Sequence, residues 1–267
     1  MAKKAEASGS SKLDRVPTGI DGLDALIQGG LPKGSATLVT GSAGTGKTIF
    51  GLQYLVEGAH RGEKGVYINF DEEKEQLYNQ ALQFGWDLEK IESEGKIRII
   101  NFDLTKTHVI NVMVELESTL KQFGPSRLVL DSISILSIYS QISAGAELTE
   151  MMGVHGGDSG SGRLSIDDIV ARGSIMSIIK KIRALGATSL IISELPEETA
   201  WLSRDTVSEF VCDGVILLHY LGLGKGESRT LAVRKMRGTN HGSDAYPADI
   251  TSKGFVVKKS GDAFKIK

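Results

Sequence analysis

The octapeptide Gly41-Ser42-Ala43-Gly44-Thr45-Gly46-Lys47-Thr48 lies between the apolar run Ala36–Thr40 and a helix-forming segment, Gly46–His60. This is GxxxxGK[ST] in the strand, loop and helix setting that the pattern requires. Its glycines permit dihedrals that aim successive N–H groups inward, and the helix that follows adds its positive end, so the turn is built to cradle a polyphosphate. The motif predicts that Lys47 reaches the β- and γ-phosphates and that Thr48 offers its hydroxyl to Mg²⁺. A chain committed to this loop is committed to an α/β fold in which the loop leaves the carboxyl end of a buried strand.

The remaining sequence supports that fold. Apolar, β-rich runs at Gly65–Phe70, Lys96–Asn101, Arg127–Asp131 and Thr188–Ser193 alternate with helical patterns at Glu73–Phe84, His108–Phe123 and Asp167–Leu185. Alternation of this kind predicts a doubly wound, mainly parallel sheet with helices on both faces. From Cys212 the texture changes to strand, turn, strand (DGVILLHYL, LGKGE, SRTLAVRKM, later KGFVVKK), which predicts an antiparallel edge. Ile20, Leu23, Leu26 and Ile27 predict a short helix ending at Gly29 and Gly30. Residues 1–14 are expected to be a disordered leader, 15–260 one domain and 261–267 a tail. Residues 144–164, with the run GGDSGSG, are expected to form an exposed, mobile loop. No repeat of solenoid period occurs.

Two further parts of a phosphate-handling site are visible. Asp131 ends the hydrophobic strand RLVLD, where a carboxylate can hold Mg²⁺ through its water shell; Asp24 and Asp103 are weaker candidates. Asp71 and Glu72 follow the strand GVYINF, so one of the pair is expected to orient an attacking water, although an acidic first helical turn would use the same residues. Ser193 and Glu194 occupy the corresponding end of TSLIIS, a place from which a phosphate can be sensed. In SRTLAVRKMRG, Lys235 and Arg237 are two apart and share a face, giving a compact cationic pair. An isolated pair of this kind often only guards a sheet edge. Nucleotide hydrolysis commonly needs an additional cation, and a second subunit can supply it. The following Gly238–His241 has the composition of a loop that contacts ribose or base.

Composition narrows the partners. Lys and Arg number 31 against 33 Asp and Glu, a net charge of -2, which disfavours constitutive coating of nucleic acid. The one cysteine, Cys212, forms no internal disulfide, and no apolar run reaches the length of a membrane span, so a soluble, cytoplasmic protein is expected.

Taken in order, PTGIDGLDALIQGGLPKGS, GSAGTGKT, INFDEE, FGWDLEK, RLVLDSIS, FVCDGVILL and KMRGTNH resemble the KaiC family of RecA-type ATPases, from about Val16 to Val257. The resemblance implies a RecA-like ATPase domain of the kind KaiC carries twice, assembled as a homohexamer with ATP and Mg²⁺ between subunits. It also implies a conformational output, passed between subunits or to a regulatory protein partner. Gly44, Thr45, Gly46, Lys47, Thr48 and Ile49 would hold the nucleotide, and Thr48 and Asp131 the metal. Asp71 and Glu72 match an acidic pair that is usually two glutamates. Lys235, Met236, Arg237, Thr239 and His241 match the stretch that reaches the neighbour's nucleotide. Glu209 and Phe210 stand where the autophosphorylating half of KaiC carries adjacent Ser and Thr, so the resemblance points to ATP hydrolysis ahead of autokinase activity. Ser203, Thr206 and Ser208 keep a serine/threonine autokinase as an alternative. The others are a nucleic-acid-dependent ATPase, with residues 153–162 as a candidate contact loop, and a nucleotide-binding scaffold without turnover.

Overall fold

A computed structural model describes residues 13–104, 109–152, 166–196, 201–223 and 226–258. The leader, the Gly-rich segment 153–162 and the tail lie outside the described residues, apart from positions 13 and 14. In chain order the elements are β1 (Arg15–Val16), α1 (Leu23–Leu26), β2 (Leu31–Pro32), β3 (Ala36–Gly41), α2 (Lys47–His60), β4 (Gly65–Asn69), α3 (Lys74–Leu82), α4 (Leu88–Ser93) and β5 (Ile97–Asn101). There follow α5 (Val109–Phe123), β6 (Arg127–Asp131), α6 (Ile133–Met152), α7 (Ile166–Ala184), β7 (Thr188–Glu194), α8 (Ser208–Val211), β8 (Gly214–Leu223), β9 (Gly226–Met236), β10 (Ala245–Thr251) and β11 (Gly254–Val257).

Nine strands form one sheet in the order β11-β10-β9-β8-β3-β7-β6-β4-β5, and β1 pairs with β2 in a small second sheet. The strands from β8 to β5 run parallel, whereas β9, β10 and β11 join by antiparallel pairing. This is the expected α/β architecture. Alternation along the central strands fills a core on each face: Val39, Tyr67, Val129 and Ile192 pack with α2, α3 and α4, while Leu38, Ile68, Leu130 and Ile191 pack with α5, α6 and α7. The central strands are buried along almost their whole length because both faces are covered.

Two local expectations are corrected, and one strand was not foreseen. Residues 144–152 continue α6 instead of opening a loop. The preceding run ISILSIYSQIS carries serine at 134, 137, 140 and 143, a spacing of three that suits one helix, and the helix packs along α7. The helix expected to reach Gly29 stops at Leu26, after which Gln28, Gly29 and Gly30 all take positive φ. Pro247 hides β10 from a strand search, since proline is rare inside sheets. It stands opposite Thr230 at the last pair with β9, and the next residue, Ala248, begins the pairing with β11. Among the described residues no helix is long and apolar enough to cross a membrane.

Candidate nucleotide site

The phosphate loop joins β3 to α2 at the carboxyl edge of the parallel strands. Gly44 and Gly46 hold φ of 75° and 95°, the left-handed region where a side chain is strained. A Cβ on Gly46 would also lie 2.8 Å from Ile250 Cδ1, so the loop is moulded against β10. Its curl is closed from within, with the Thr45 hydroxyl and the Lys47 ammonium both donating to the Ser42 carbonyl at 2.8 and 2.9 Å. Burial lowers the Lys47 pKa, opposed by the carboxylates of Glu194 and Asp131.

Thr48 Oγ1 donates to Asp131 Oδ2 at 2.9 Å, and the Tyr67 hydroxyl donates to the same oxygen at 2.6 Å. Burial raises the Asp131 pKa, while the donations from Tyr67 and Thr48 and the charge of Lys47 favour its ionised form. A hydroxyl beside a carboxylate at the mouth of a phosphate cradle is a hard-oxygen donor set suited to Mg²⁺. Among the described residues no cluster of three or more His, Cys, Asp and Glu is placed to hold a metal ion. Asp24 is committed elsewhere: its carboxylate accepts from the Thr18 amide and hydroxyl at 2.7 to 3.1 Å.

A cleft of about 280 Å³ opens over the loop, lined by Gly44, Gly46, Lys47, Thr48, Ile49, Glu72, Gln80, Asp131 and Glu194 among others. Of the acidic pair, Glu72 lines this cleft and Asp71 does not. The Asn69 side chain organises the turn, its Oδ1 accepting from the Asp71 and Glu72 amides at 3.1 and 3.3 Å and its Nδ2 donating to the Glu72 carbonyl. Gln80 Nε2 donates to Glu72 Oε2 at 2.7 Å. Burial raises the Glu72 pKa, Asp131 adds to the rise, and the Gln80 bond opposes it. Ser193 is buried, its hydroxyl 3.3 Å from that of Ser134, and Ser134 in turn accepts from the Glu194 amide at 2.9 Å.

Sequence reasoning missed Tyr220 and Arg229. Both donate to the Gly44 carbonyl, at 2.8 and 3.3 Å, and Arg229 also donates to the Tyr220 hydroxyl at 2.9 Å. They lie across the β8–β9 ladder from one another, opposite partners in register. Once the hairpin was expected, the cross-strand pair offered the signal.

The cationic pair lies at the other end of the sheet. Gly214 pairs with Thr37 and Leu218 with Gly41, so β8 starts where β3 starts, and antiparallel β9 delivers Lys235 and Arg237 there. Lys235 Nζ donates to the carbonyls of Cys212 and Glu209 at 2.6 and 2.9 Å, and burial, then Arg237, lowers its pKa. Arg237 is exposed and sits 3.5 Å from Asp213 Oδ1. The Met236 side chain belongs to the core, so any contact it makes outside the subunit falls to its backbone. Thr239 and His241 follow on the surface, half-buried. One chain thus brings together Lys47, Thr48, Ile49, Glu72 and Asp131, and holds Lys235, Arg237, Thr239 and His241 apart from them.

Ser203 and Ser208 are buried, with hydroxyls committed to Glu209 and Asp205, and Thr206 occupies a left-handed turn with φ of 56°.

Comparison with known proteins shows the family. The model of the family described as "ATPase: KaiC" matches residues 16–154 and 158–262. The Circadian clock protein KaiC3 of Synechocystis sp. is 32% identical over 254 residues, covering 92% of this chain and 45% of that protein. The Circadian clock oscillator protein KaiC of Synechococcus elongatus is 30% identical over 252 residues, covering 91% and 44%. The chain therefore spans slightly less than half the length of these curated relatives. A crystal structure of a KaiC-like protein from Pyrococcus horikoshii OT3 superposes with a TM-score of 0.75 at 32% identity, covering 92% of this chain and all of the other. With a phosphate loop, a hydroxyl–carboxylate pair and a strand-end glutamate on a RecA-type sheet, the chain belongs to the KaiC family of ATPases.

Proposed function

We propose that the protein hydrolyses Mg-ATP at sites shared between adjacent copies of itself, in a ring of six. The observation that carries this reading is the division of the site residues between opposite ends of one sheet: Lys47, Thr48, Glu72 and Asp131 at one, Lys235 and Arg237 at the other. With a strand advance of about 3.3 Å per residue, the five positions between Gly41 and Ala36 already separate the ends by roughly 16 Å. The pair therefore serves a neighbour's nucleotide.

In the composite site the loop amides and Lys47 hold the β- and γ-phosphates. Thr48 and Asp131 would hold Mg²⁺, which would supply Lewis-acid charge. Glu72 aligns a water and accepts its proton as the water oxygen attacks the γ-phosphorus and the bond to the bridging oxygen breaks, releasing ADP and phosphate. Lys235 and Arg237 of the adjoining subunit stabilise charge that develops in the transition state. Thr239 and His241 contact ribose or base. The output is conformational, passed around the ring or to a protein partner.

The test combines light scattering with phosphate release. Mg-ATP should convert the protein to a ring, and turnover per subunit should rise with assembly. A monomer with full turnover would remove the shared site. The buried hydroxyls of Ser203 and Ser208 favour water over a protein hydroxyl as acceptor. Label from γ-labelled ATP should accordingly appear as free phosphate.

A further inference from the structure

The loop that follows Arg237 is held by the opposite end of the chain. Arg15, in β1, inserts a guanidinium that donates from Nη1 to Thr239 Oγ1 at 2.5 Å and to the Gly30 carbonyl at 3.4 Å. Its Nη2 donates to the Gly238 carbonyl at 2.9 Å and to Gln28 Oε1 at 3.2 Å. Gln28 Oε1 accepts a second bond, from the Asn240 amide, at 3.3 Å. Two consecutive loop residues are thus gripped by one planar fork and the third by the amide that the fork itself touches. Below them Leu13 closes the space, since a Cβ on Gly238 would fall 2.6 Å from Leu13 Cδ1.

The clasp is built. Pairing of Arg15 with Pro32 and of Val16 with Leu31 fixes the guanidinium's stem, and the Lys33 amide donates to the Asp14 carbonyl at 2.9 Å. Gln28 reaches the loop from a left-handed backbone, φ 61°, which non-glycine residues adopt only when their surroundings hold them there. On the other side the Arg237 amide donates to the Asp213 carbonyl at 2.9 Å.

The chemistry of one bond sets the direction of another. Thr239 Oγ1 accepts from a guanidinium, which has donors only, so the hydroxyl hydrogen must turn away from Arg15. Among the described residues no acceptor takes that hydrogen, so half-buried Thr239 keeps a donor for a group outside the subunit.

We propose that Arg15 is a positioning residue for the neighbour's nucleotide site: it fixes the loop 238–240 and presents Thr239 as a hydrogen-bond donor to an acceptor oxygen or nitrogen of the nucleotide bound next door. This rests on the shared-site reading above. Arg15 acts on the reaction indirectly. Its effect reaches the reaction through Thr239 and through the geometry of Arg237, where a misplacement of about an ångström is enough to cost a large factor in rate.

The test is complementation between subunits. Arg15→Gln should lower kcat by about tenfold or more while KM for ATP changes by less than about threefold. Lys47→Ala subunits, which lack a working phosphate loop but keep an intact clasp, should be inactive alone. Mixed without nucleotide and then assembled with Mg-ATP, the two variants should regain turnover, because each Arg15→Gln subunit that follows a Lys47→Ala subunit receives a correctly held loop. A defect confined to the Arg15→Gln subunit's own stability would gain nothing from a neighbour. The same mixing with Arg237→Ala in place of Arg15→Gln is the control for the shared site. Rescue of Arg237→Ala without rescue of Arg15→Gln, or wild-type kcat in Arg15→Gln, overturns the role of Arg15 and leaves the shared site standing. Failure of both mixtures overturns the shared site and this inference with it. Should Arg15→Gln not fold, Gln28→Gly keeps the left-handed turn, removes the second leg of the clasp, and is expected to give the same complementation; its failure to do so, with the Arg237→Ala control rescued, overturns the proposal.

Discussion

Thr48 and Asp131, eighty-three residues apart in the chain, meet in a 2.9 Å hydrogen bond from Oγ1 to Oδ2 beside the phosphate loop. The bond holds a hydroxyl and a carboxylate oxygen together beside the loop, the two groups that would hold Mg²⁺ in the proposed reaction. Asp131→Asn and Thr48→Ala should each lower turnover by about a hundredfold and raise the Mg²⁺ concentration needed for half-maximal rate. Phosphate release measured across a Mg²⁺ titration checks this. Unchanged Mg²⁺ dependence in both variants would place the ion elsewhere.

Glu72 and Asp71 separate by their surroundings. Glu72 faces the cleft and hydrogen-bonds Gln80, whereas Asp71 is exposed. Glu72→Gln should lose about two to four orders of magnitude in kcat while ATP still binds, and Asp71→Asn should lose far less. Single-turnover phosphate release with a nucleotide-binding assay separates the two effects.

The same glutamate sets a pH dependence. Its pKa is raised by burial and by Asp131, and the proposed role as base needs the ionised form. Turnover should therefore fall as pH drops, with the acid limb centred above the ordinary glutamate range near 4.5. Releasing Gln80, whose bond favours the carboxylate, should move that limb higher still, so Gln80→Leu provides the check in a rate–pH profile.

Arg237→Ala is expected to retain most nucleotide affinity and lose about a thousandfold in turnover, the scale of a cation supplied in trans. Equilibrium binding of a fluorescent nucleotide beside phosphate release measures both. Full activity in this variant would end the trans role.

A stability prediction concerns the other face of the fold. Arg127 is fully buried and bonded through Nη1 to the carbonyls of Pro17 and Tyr54, at 2.8 and 2.9 Å, with Glu63 at Nε. Gly58 lies against its stem, where a Cβ would come within 2.5 Å of Cδ. Because the guanidinium is pinned, the stem has nowhere to go. Gly58→Ala should cost about 1–3 kcal/mol, read as a lower thermal midpoint without loss of ATP affinity.

Much of this was legible because central strands buried on both faces, such as LVLD and SLIIS, declare themselves by composition, and because the phosphate loop fixes its own flanks. The acids at strand ends followed from topology. What escaped has local causes. Residues 144–152 read as loop because the Gly-rich run GGDSGSG follows them closely, β10 hides behind a proline, and β1 has two residues. Tyr220 and Arg229 reach Gly44 only through cross-strand register, and Arg15 reaches Thr239 across 224 positions, a distance that no periodicity spans.

β9 deserves to be followed along its length. Near one end Arg229 touches its own subunit's Gly44, and at the other Lys235 and Arg237 face away from that nucleotide. The seven steps of extended chain from Arg229 to Met236 make a rod of roughly 23 Å. In a closed ring such rods would run in series, so that displacement of one loop by an arriving triphosphate is felt as push or pull at the next station, and a substitution midway along the rod would disturb two reaction centres at once.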